Sequence, residues 1–319
     1  MKTNKTKLIA IFAFLGLMLT SCSDDDNPQP TVDNTITGIA SKASDLTLLV
    51  KALKKADLAA TLQGAGPFTV FAPTDQAFIN AGLTATVIDN YPTADIPALR
   101  QILLNHVVSG AVQSSGLTNN TYIKTLALGS ASTTNKLDMY VNTTSGVRLN
   151  GVSSVITTTA GGTFNIIATN GVIHKVDAII GLPTVVTHAA ANPNFSTLAQ
   201  LLTDQSLIPT LNGTASSPFT VFAPLNSAFD TATLNLYTSL NSAKKTAVLQ
   251  YHVVAGANVL SNAIPTGPIT TFESGTFTVS GTVITDEQAR QTNIVLTDVQ
   301  CANGVIHAVN KVLLPNSVP

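Results

Sequence analysis

The sequence predicts an α+β protein built from two tandem copies of one domain, and three observations carry that reading. Pro67-Phe68-Thr69-Val70-Phe71-Ala72-Pro73 recurs unchanged as Pro218-Phe219-Thr220-Val221-Phe222-Ala223-Pro224. Asn170-Gly171-Val172-Ile173-His174 recurs as Asn303-Gly304-Val305-Ile306-His307. Within each copy, apolar residues at helical spacing come first and β-branched alternation follows, the order expected of α+β rather than of alternating βαβ units. The motif pairs are offset by 151 and 133 residues, so the unit is about 130 to 150 residues and the first copy carries a longer internal segment. Solenoid repeats are several times shorter.

The elements follow in order. Leu46, Leu49, Val50 and Leu53 fall at i, i+3, i+4 and i+7, as do Phe195, Leu198, Ala199 and Leu202, and each set makes one apolar helical stripe. Phe68 to Phe71 and Phe219 to Phe222 predict buried strands, each stopped by the proline that follows. Asp75 and Asn226 are then expected to cap helices beginning at Ala77-Phe78 and Ala228-Phe229. Leu99, Ile102, Leu103 and His106 predict a further helix, matched by Val248 and His252 in the second copy. Val147 to Val152, Thr163 to Ala168, Phe277 to Ile284 and Asn293 to Val299 alternate as strands between Gly and Asn turns.

The first residues place Lys2, Lys5 and Lys7 before an apolar run from Leu8 to Leu19, then small residues before Cys22. This predicts a secretory signal over 1–21, too short to span a membrane. Leu19-Thr20-Ser21-Cys22 resembles a bacterial lipobox, so Cys22 is expected to be acylated and to become the first residue of the mature chain. Several acyl chains on one residue supply a stable membrane anchor. Residues 22–33 contain Ser23-Asp24-Asp25-Asp26 and two prolines, and predict a flexible tether. The acidic run also resembles a surface-export signal of Bacteroidetes lipoproteins; as a bland alternative it is a solvated spacer. The expected location is the outer membrane, lipid-anchored and exposed at the cell surface. Domain 1 is then expected over 34–183 and domain 2 over 184–319.

Only 10% of residues are charged and the formal net charge is -1. There is no basic stripe to meet a phosphate backbone, which argues against nucleic-acid binding. Cys22 and Cys301 are the only cysteines. With Cys22 acylated no internal disulfide forms, and Cys301 reads as a small buried hydrophobe.

Pro-Phe-Thr-Val-Phe-Ala-Pro, then Tyr251-His252-Val253-Val254, then Asn-Gly-Val-Ile-His and a closing Lys311-Val312-Leu313-Leu314-Pro315 together resemble the fasciclin domain family. The first copy departs at Asn105-His106-Val107-Val108, which lacks the tyrosine, and ends Ile179-Ile180-Gly181-Leu182-Pro183. The resemblance spans roughly residues 34 to 316. It implies in each copy a wedge of two β-sheets with helices packed along one edge, and a role in adhesion or extracellular binding. It also implies a candidate adhesion segment at Tyr251, His252, Asp298 and Val299. Asn165-Ile166 stands at the Asp298-Val299 position in the first copy, so only the second copy keeps the acid.

His106, His174, His252 and His307 form matching pairs, but their spacing is not that of metal ligands and no carboxylate cluster accompanies them. A structural role, with the ring bonded to carbonyls at a helix end, is expected. No Gly-x-Ser-x-Gly elbow and no Gly-rich phosphate loop occurs. Asn170-Gly171 and Asn303-Gly304 read as turns in which both residues tolerate positive φ. The sequence therefore predicts no catalytic residue, no metal and no cofactor. The expected function is adhesion or extracellular binding to a protein or glycan. The alternatives are a carbohydrate-binding accessory protein and, behind it, an unrecognised hydrolase. The chain holds no Trp, and Phe68, Phe71, Phe219 and Phe222 are claimed by the predicted core, which weakens the glycan reading.

Overall fold

The computed structural model describes residues 32–156 and 164–318. The expected signal, Cys22 and nearly all of the expected tether lie outside the described residues, as does the start of the strand expected from Thr163. The first copy runs α1 (Ile36–Lys42), α2 (Thr47–Lys55), α3 (Ala59–Gln63), β1 (Phe68–Pro73), α4 (Asp75–Asn80), α5 (Ala85–Asp89), α6 (Ile96–Leu104) and β2 (Val107–Ser109). Six strands follow: β3 (Thr121–Gly129), β4 (Ser132–Asn142), β5 (Arg148–Leu149), β6 (Ser153–Ser154), β7 (Ile166–Ala168) and β8 (Gly171–Val176). The second copy runs α7 (Val185–Ala191), α8 (Ser196–Asp204), α9 (Ile208–Asn212), β9 (Phe219–Pro224), α10 (Thr231–Ser239), α11 (Ser242–Tyr251) and β10 (Val253–Ala255). It closes with β11 (Ile269–Thr270), β12 (Thr276–Ser280), β13 (Val283–Thr285), β14 (Gln291–Cys301) and β15 (Gly304–Val309).

The two duplicated motifs become one structural unit. β1 lies parallel to β8 from Phe68 opposite Gly171 to Pro73 opposite Val176. β9 lies parallel to β15 in the same register, from Phe219 opposite Gly304 to Pro224 opposite Val309. Every residue of β9 and β15 is buried. A parallel pair covered on both faces requires apolar side chains on both, which is why these strands read as continuous runs and not as alternation. The helices cover one face, over a core that includes Leu49, Leu53 and Leu103 in copy 1 and Leu198, Leu202 and Leu249 in copy 2. The other face closes against the remaining strands, over Phe71, Met139 and Leu149 in copy 1 and Phe222, Phe277 and Leu313 in copy 2.

In copy 1 the halves β7-β8-β1-β2 and β3-β4-β5-β6 meet where Val108 pairs with Thr125. They meet again where Val155 bridges Val176. The α+β wedge with helices along one side is therefore what the chain adopts.

The asparagine of each Asn-Gly motif ties the helical layer to this parallel pair. Asn170 accepts Ile36 N–H at the start of α1 and donates to the Leu62 and Gly64 carbonyls at the end of α3, while its own carbonyl accepts Phe68 N–H. Asn303 does the same with Val185 N–H, the Leu211 carbonyl and Phe219 N–H. The two-residue turn is Thr169-Asn170 in the first copy and Ala302-Asn303 in the second, not the expected Asn-Gly pair: the glycine already opens β8 or β15, and neither asparagine has positive φ. Glycine is required for another reason: a Cβ on Gly171 or Gly304 would stand 1.9 or 2.2 Å from the carbonyl oxygen of Phe68 or Phe219.

Three local expectations are corrected. Both strands run through Ala-Pro, because a proline at the last ladder position removes only one donor. Asp75 and Asn226 do not cap the segments they open; Thr74 caps α4. Their side chains reach back to α2 and α8, which have no side-chain cap of their own: Asp75 accepts Leu48 N–H at 2.8 Å and Asn226 accepts Thr197 N–H at 3.0 Å. In the second copy Asn226–Ala228 is a single 3-10 turn, and the helix begins later behind Asp230. The strand expected over Val147 to Val152 shortens to Arg148–Leu149, since Asn150 and Gly151 both take positive φ and turn the chain into β6.

The longer segment of copy 1 forms the β3–β4 hairpin, whose strands of 9 and 11 residues exceed the 5 and 3 of β12 and β13. Its tip clasps the β14–β15 turn of copy 2. Ala302 carbonyl accepts Ala131 N–H at 2.9 Å and Ser130 Oγ at 3.0 Å, and a Cβ on Gly129 would strike Ala302. Asp138, buried in β4, accepts Gln300 N–H at 2.7 Å and pairs with Lys124. Burial pushes the Asp138 carboxyl above its ordinary value, and Lys124 and Gln300 pull it partly back. Tyr122 packs edge-on against His188 of α7. Burial lowers His188 to about 3, and neither of its ring nitrogens has a hydrogen-bond partner among the described residues.

Replacing Asn303 by Ala leaves Val185 N–H and the Leu211 carbonyl buried without partners and is expected to cost about 3 kcal/mol. Asn170→Ala is expected to cost a similar amount in the first copy. Urea unfolding of each variant measures this, and a change below about 0.5 kcal/mol would refute the tie.

Candidate functional site

The segment implied for adhesion lies where β14 meets the loop after β10. The β14–β15 ladder slips register between Ile294 and Leu296 and again between Leu296 and Val299, and Asp298 takes φ +62° at this bulge. Bulges re-aim side chains, and this one turns the Asp298 carboxylate onto residues 257–264. It accepts Ser261 N–H at 2.7 Å and Ser261 Oγ. Burial pushes the Asp298 carboxyl up, but these two bonds outweigh it and hold the group below the ordinary carboxylate range. Four further bonds fix the same loop: His307 Nε2 to the Val259 carbonyl, Thr220 Oγ1 to the Ala257 carbonyl, and the two reciprocal bonds of the Asn258–Gln300 amide pair. Because His307 Nδ1 accepts Asp298 N–H, its proton sits on Nε2.

Copy 1 repeats the arrangement without the charge. Asn165 accepts Ser114 N–H at 2.8 Å, and His174 Nε2 lies 2.9 Å from the Val112 carbonyl. The amide keeps the backbone bond of the clamp and has no serine hydroxyl bond to match that of Asp298.

Of the four residues implied for adhesion, Tyr251, His252 and Val299 are buried and Asp298 is half-buried. Tyr251 donates to the Thr276 carbonyl and packs edge-on near Phe277, inside the sheet-side core. His252 bridges the end of α11 to the segment that follows β15. Leu313 N–H donates to Nε2 at 2.9 Å, so the proton lies on Nδ1 and is given to the Val248 carbonyl at 2.7 Å. His106 makes the same pair of bonds with Ile180 N–H and the Ile102 carbonyl. Burial lowers both histidines to about 4, against carbonyl bonds that pull the other way. What reaches solvent beside Asp298 is the loop itself. Leu260, Ser261 and Asn262 border a polar groove of about 350 Å³ whose far wall is Lys124, Thr134 and Lys136 of the copy 1 hairpin. This groove is not legible in the sequence, since its walls lie more than 120 residues apart and meet only through the clasp.

Among the described residues no group of three or more His, Cys, Asp or Glu is placed to hold a metal ion. Cys301 is buried, and burial raises its thiol well above the ordinary value. Phe164 is the one exposed aromatic ring among the described residues. No helix of the described residues is long and apolar enough to cross a membrane.

The sequence profile of the fasciclin domain matches residues 44–183 and 193–315. Protein sll1483 of Synechocystis is 34% identical over 138 residues, 41% of this chain and 73% of its own. The cell surface glycolipoprotein MPB83 of Mycobacterium bovis is 33% identical over 138 residues, 41% of this chain and 60% of its own. A fasciclin domain pair from the insect cell adhesion molecule fasciclin I aligns with 83% of this chain and 93% of its own, at 18% identity and a TM-score of 0.44.

Two outcomes test the site. Asp298→Ala removes both bonds to Ser261, and hydrogen exchange at the Val259 and Ser261 amides is expected to rise at least tenfold while the β9–β15 amides stay protected. Unchanged loop exchange would refute the clamp. The histidines lowered by burial, His106, His188, His252 and His307, take up protons in the unfolded chain near pH 6.5 but not in the folded one. Their contribution is therefore full above pH 6.5 and is lost as pH falls toward 4, at up to about 1.4 kcal/mol per pH unit for each fully buried ring. The urea midpoint is expected to drop between pH 7 and pH 4.5, and less so in His252→Gln; a flat profile would contradict the neutral assignment.

Proposed function

Because the chain belongs to the fasciclin domain family, we propose that it is a cell-surface lipoprotein that mediates adhesion or extracellular binding. In this reading Cys22 carries the lipid, the anchor lies in the outer membrane and the domains face outward. Residues 34–183 and 184–319 act as two modules joined by the clasp. The name of one relative supports the reading: it is a cell surface glycolipoprotein.

The observation that carries the binding half is the clamped loop at the groove between the copies. A rigid loop loses little conformational entropy when a partner docks on it. Tyr251, His252 and Val299 are buried away from solvent, and the contact itself falls to Asn262, Ser261 and Lys136 at the groove's rim. The partner we favour is a protein, since the groove walls offer hydrogen-bonding and charged groups and no aromatic platform for a sugar ring.

Labelled palmitate with cell fractionation tests the anchor. Cys22→Ser is expected to abolish labelling and release the protein from the membrane fraction, and retention there would overturn the lipoprotein reading. Attachment of protein-coated beads to matrix proteins and to the producing cells tests the contact. The Lys136→Glu, Asn262→Glu double variant is expected to lose at least tenfold in retained beads with its unfolding midpoint unchanged. Equal retention would move the contact elsewhere.

A further inference from the structure

The two copies finish the seam beside their second strand differently. In copy 1, β3 pairs with β2 at Val108 and Thr125, and Leu117 and Met139 fill the space behind, so that Val108 and Leu117 are each only 7% exposed. In copy 2, β10 is the edge of its sheet. The opposite edge, β11, returns to it, and the Phe272 N–H to Val253 carbonyl bond joins the two there. Ile264 follows the 3-10 turn that Asp298 clamps, just as Leu117 follows the turn clamped by Asn165. Yet Ile264 and Val254, the counterparts of Leu117 and Val108, are half-buried. The seam stays open as a cavity of about 240 Å³ over the Phe222 ring, walled by Val254, Val259, Ile264 and Ile269.

The lining chemistry restricts what enters. None of the lining residues is charged. The hydroxyl of Thr220, at the floor, already donates to the Ala257 carbonyl and accepts Val259 N–H. Water held there would lack the two to four polar partners it needs, whereas apolar cavities of about 150 Å³ take up a ring the size of benzene. Pro265 and Pro268 at the rim have fixed φ, so the opening is largely preformed.

We propose that this cavity of copy 2 is a binding site for a small uncharged apolar ligand, an alkyl or aryl group of one to two rings. In copy 1 its own hairpin occupies the corresponding place. The site stands apart from the polar groove, on the other side of the clamped loop, and does not depend on the adhesion reading.

Prodan, an uncharged two-ring naphthalene fluorophore that brightens out of water, serves as the probe. The Cys22→Ser chain is used so that no acyl chain takes up the dye. Saturable uptake of one probe per chain is expected, with methyl NMR shifts confined to Val254, Val259, Ile264 and Ile269 and absent at Val108 and Leu117. Val254→Trp, which fills the space, is expected to weaken binding at least tenfold, and Ile264→Ala to retain it. No uptake at the solubility limit of the probe, non-saturating uptake, or shifts at other methyls would each overturn the proposal. So would unweakened binding in a folded Val254→Trp protein. The NMR arm decides the question without any variant.

Discussion

Each copy depends on a parallel pair of strands that must be dry on both faces. Neither strand alone has a solvent side, so helices must cover one face and further strands the other, and something must bind the two layers together. Asn170 and Asn303 do this with a single residue apiece: the side chain joins the first helix of the copy to the end of the third, and the backbone carbonyl takes the N–H of the first residue of the central strand. The glycine next to each asparagine lets the two strand backbones approach where any side chain would collide with a carbonyl. The histidine that ends each motif then faces the wedge and holds the loop after the second strand. Five consecutive residues thus connect the helical layer, the sheet and the loop.

On this shared frame the copies diverge at two places. The hairpin of copy 1 is long and reaches copy 2, whereas that of copy 2 is short and leaves a seam open. The clamp that positions the loop is an amide in copy 1 and a carboxylate in copy 2. The residues that make copy 2 the candidate binding module therefore include groups contributed by copy 1, with Lys124 and Lys136 facing Asp298 and Ser261 across the groove.

Much of the fold was legible in the sequence because duplication exposed it. The repeated strand, the apolar stripes ending in His106 and His252 and the Asn-Gly motif stand out when the copies are aligned, although the turn falls one residue earlier than the motif suggests. Legibility failed where a side chain acts at a distance. Asp75 and Asn226 looked like caps for the segments they begin, yet each caps a helix about 28 residues earlier, whose own N-cap position holds a buried Leu46 or Phe195 side chain that cannot accept a hydrogen bond. Tyr251 and His252 were marked by resemblance as an adhesive segment, but burial places them behind the surface, and nothing local separates a buried Tyr-His from an exposed one. Asp298 was visible as a retained acid; that it sits on a bulge at positive φ depends on a register slip that spacing does not reveal.

The clasp between the hairpin tip and Ala302 has a consequence for how such proteins lengthen. Copy 1 carries both a donor hairpin and an acceptor turn, while copy 2 carries the acceptor turn but, with strands of only 5 and 3 residues, no hairpin of comparable reach. Duplicating the first copy in a gene would add a unit able to grip its successor, and duplicating the second would add one that hangs loose. The two modules thus differ in type, an extender followed by a terminator.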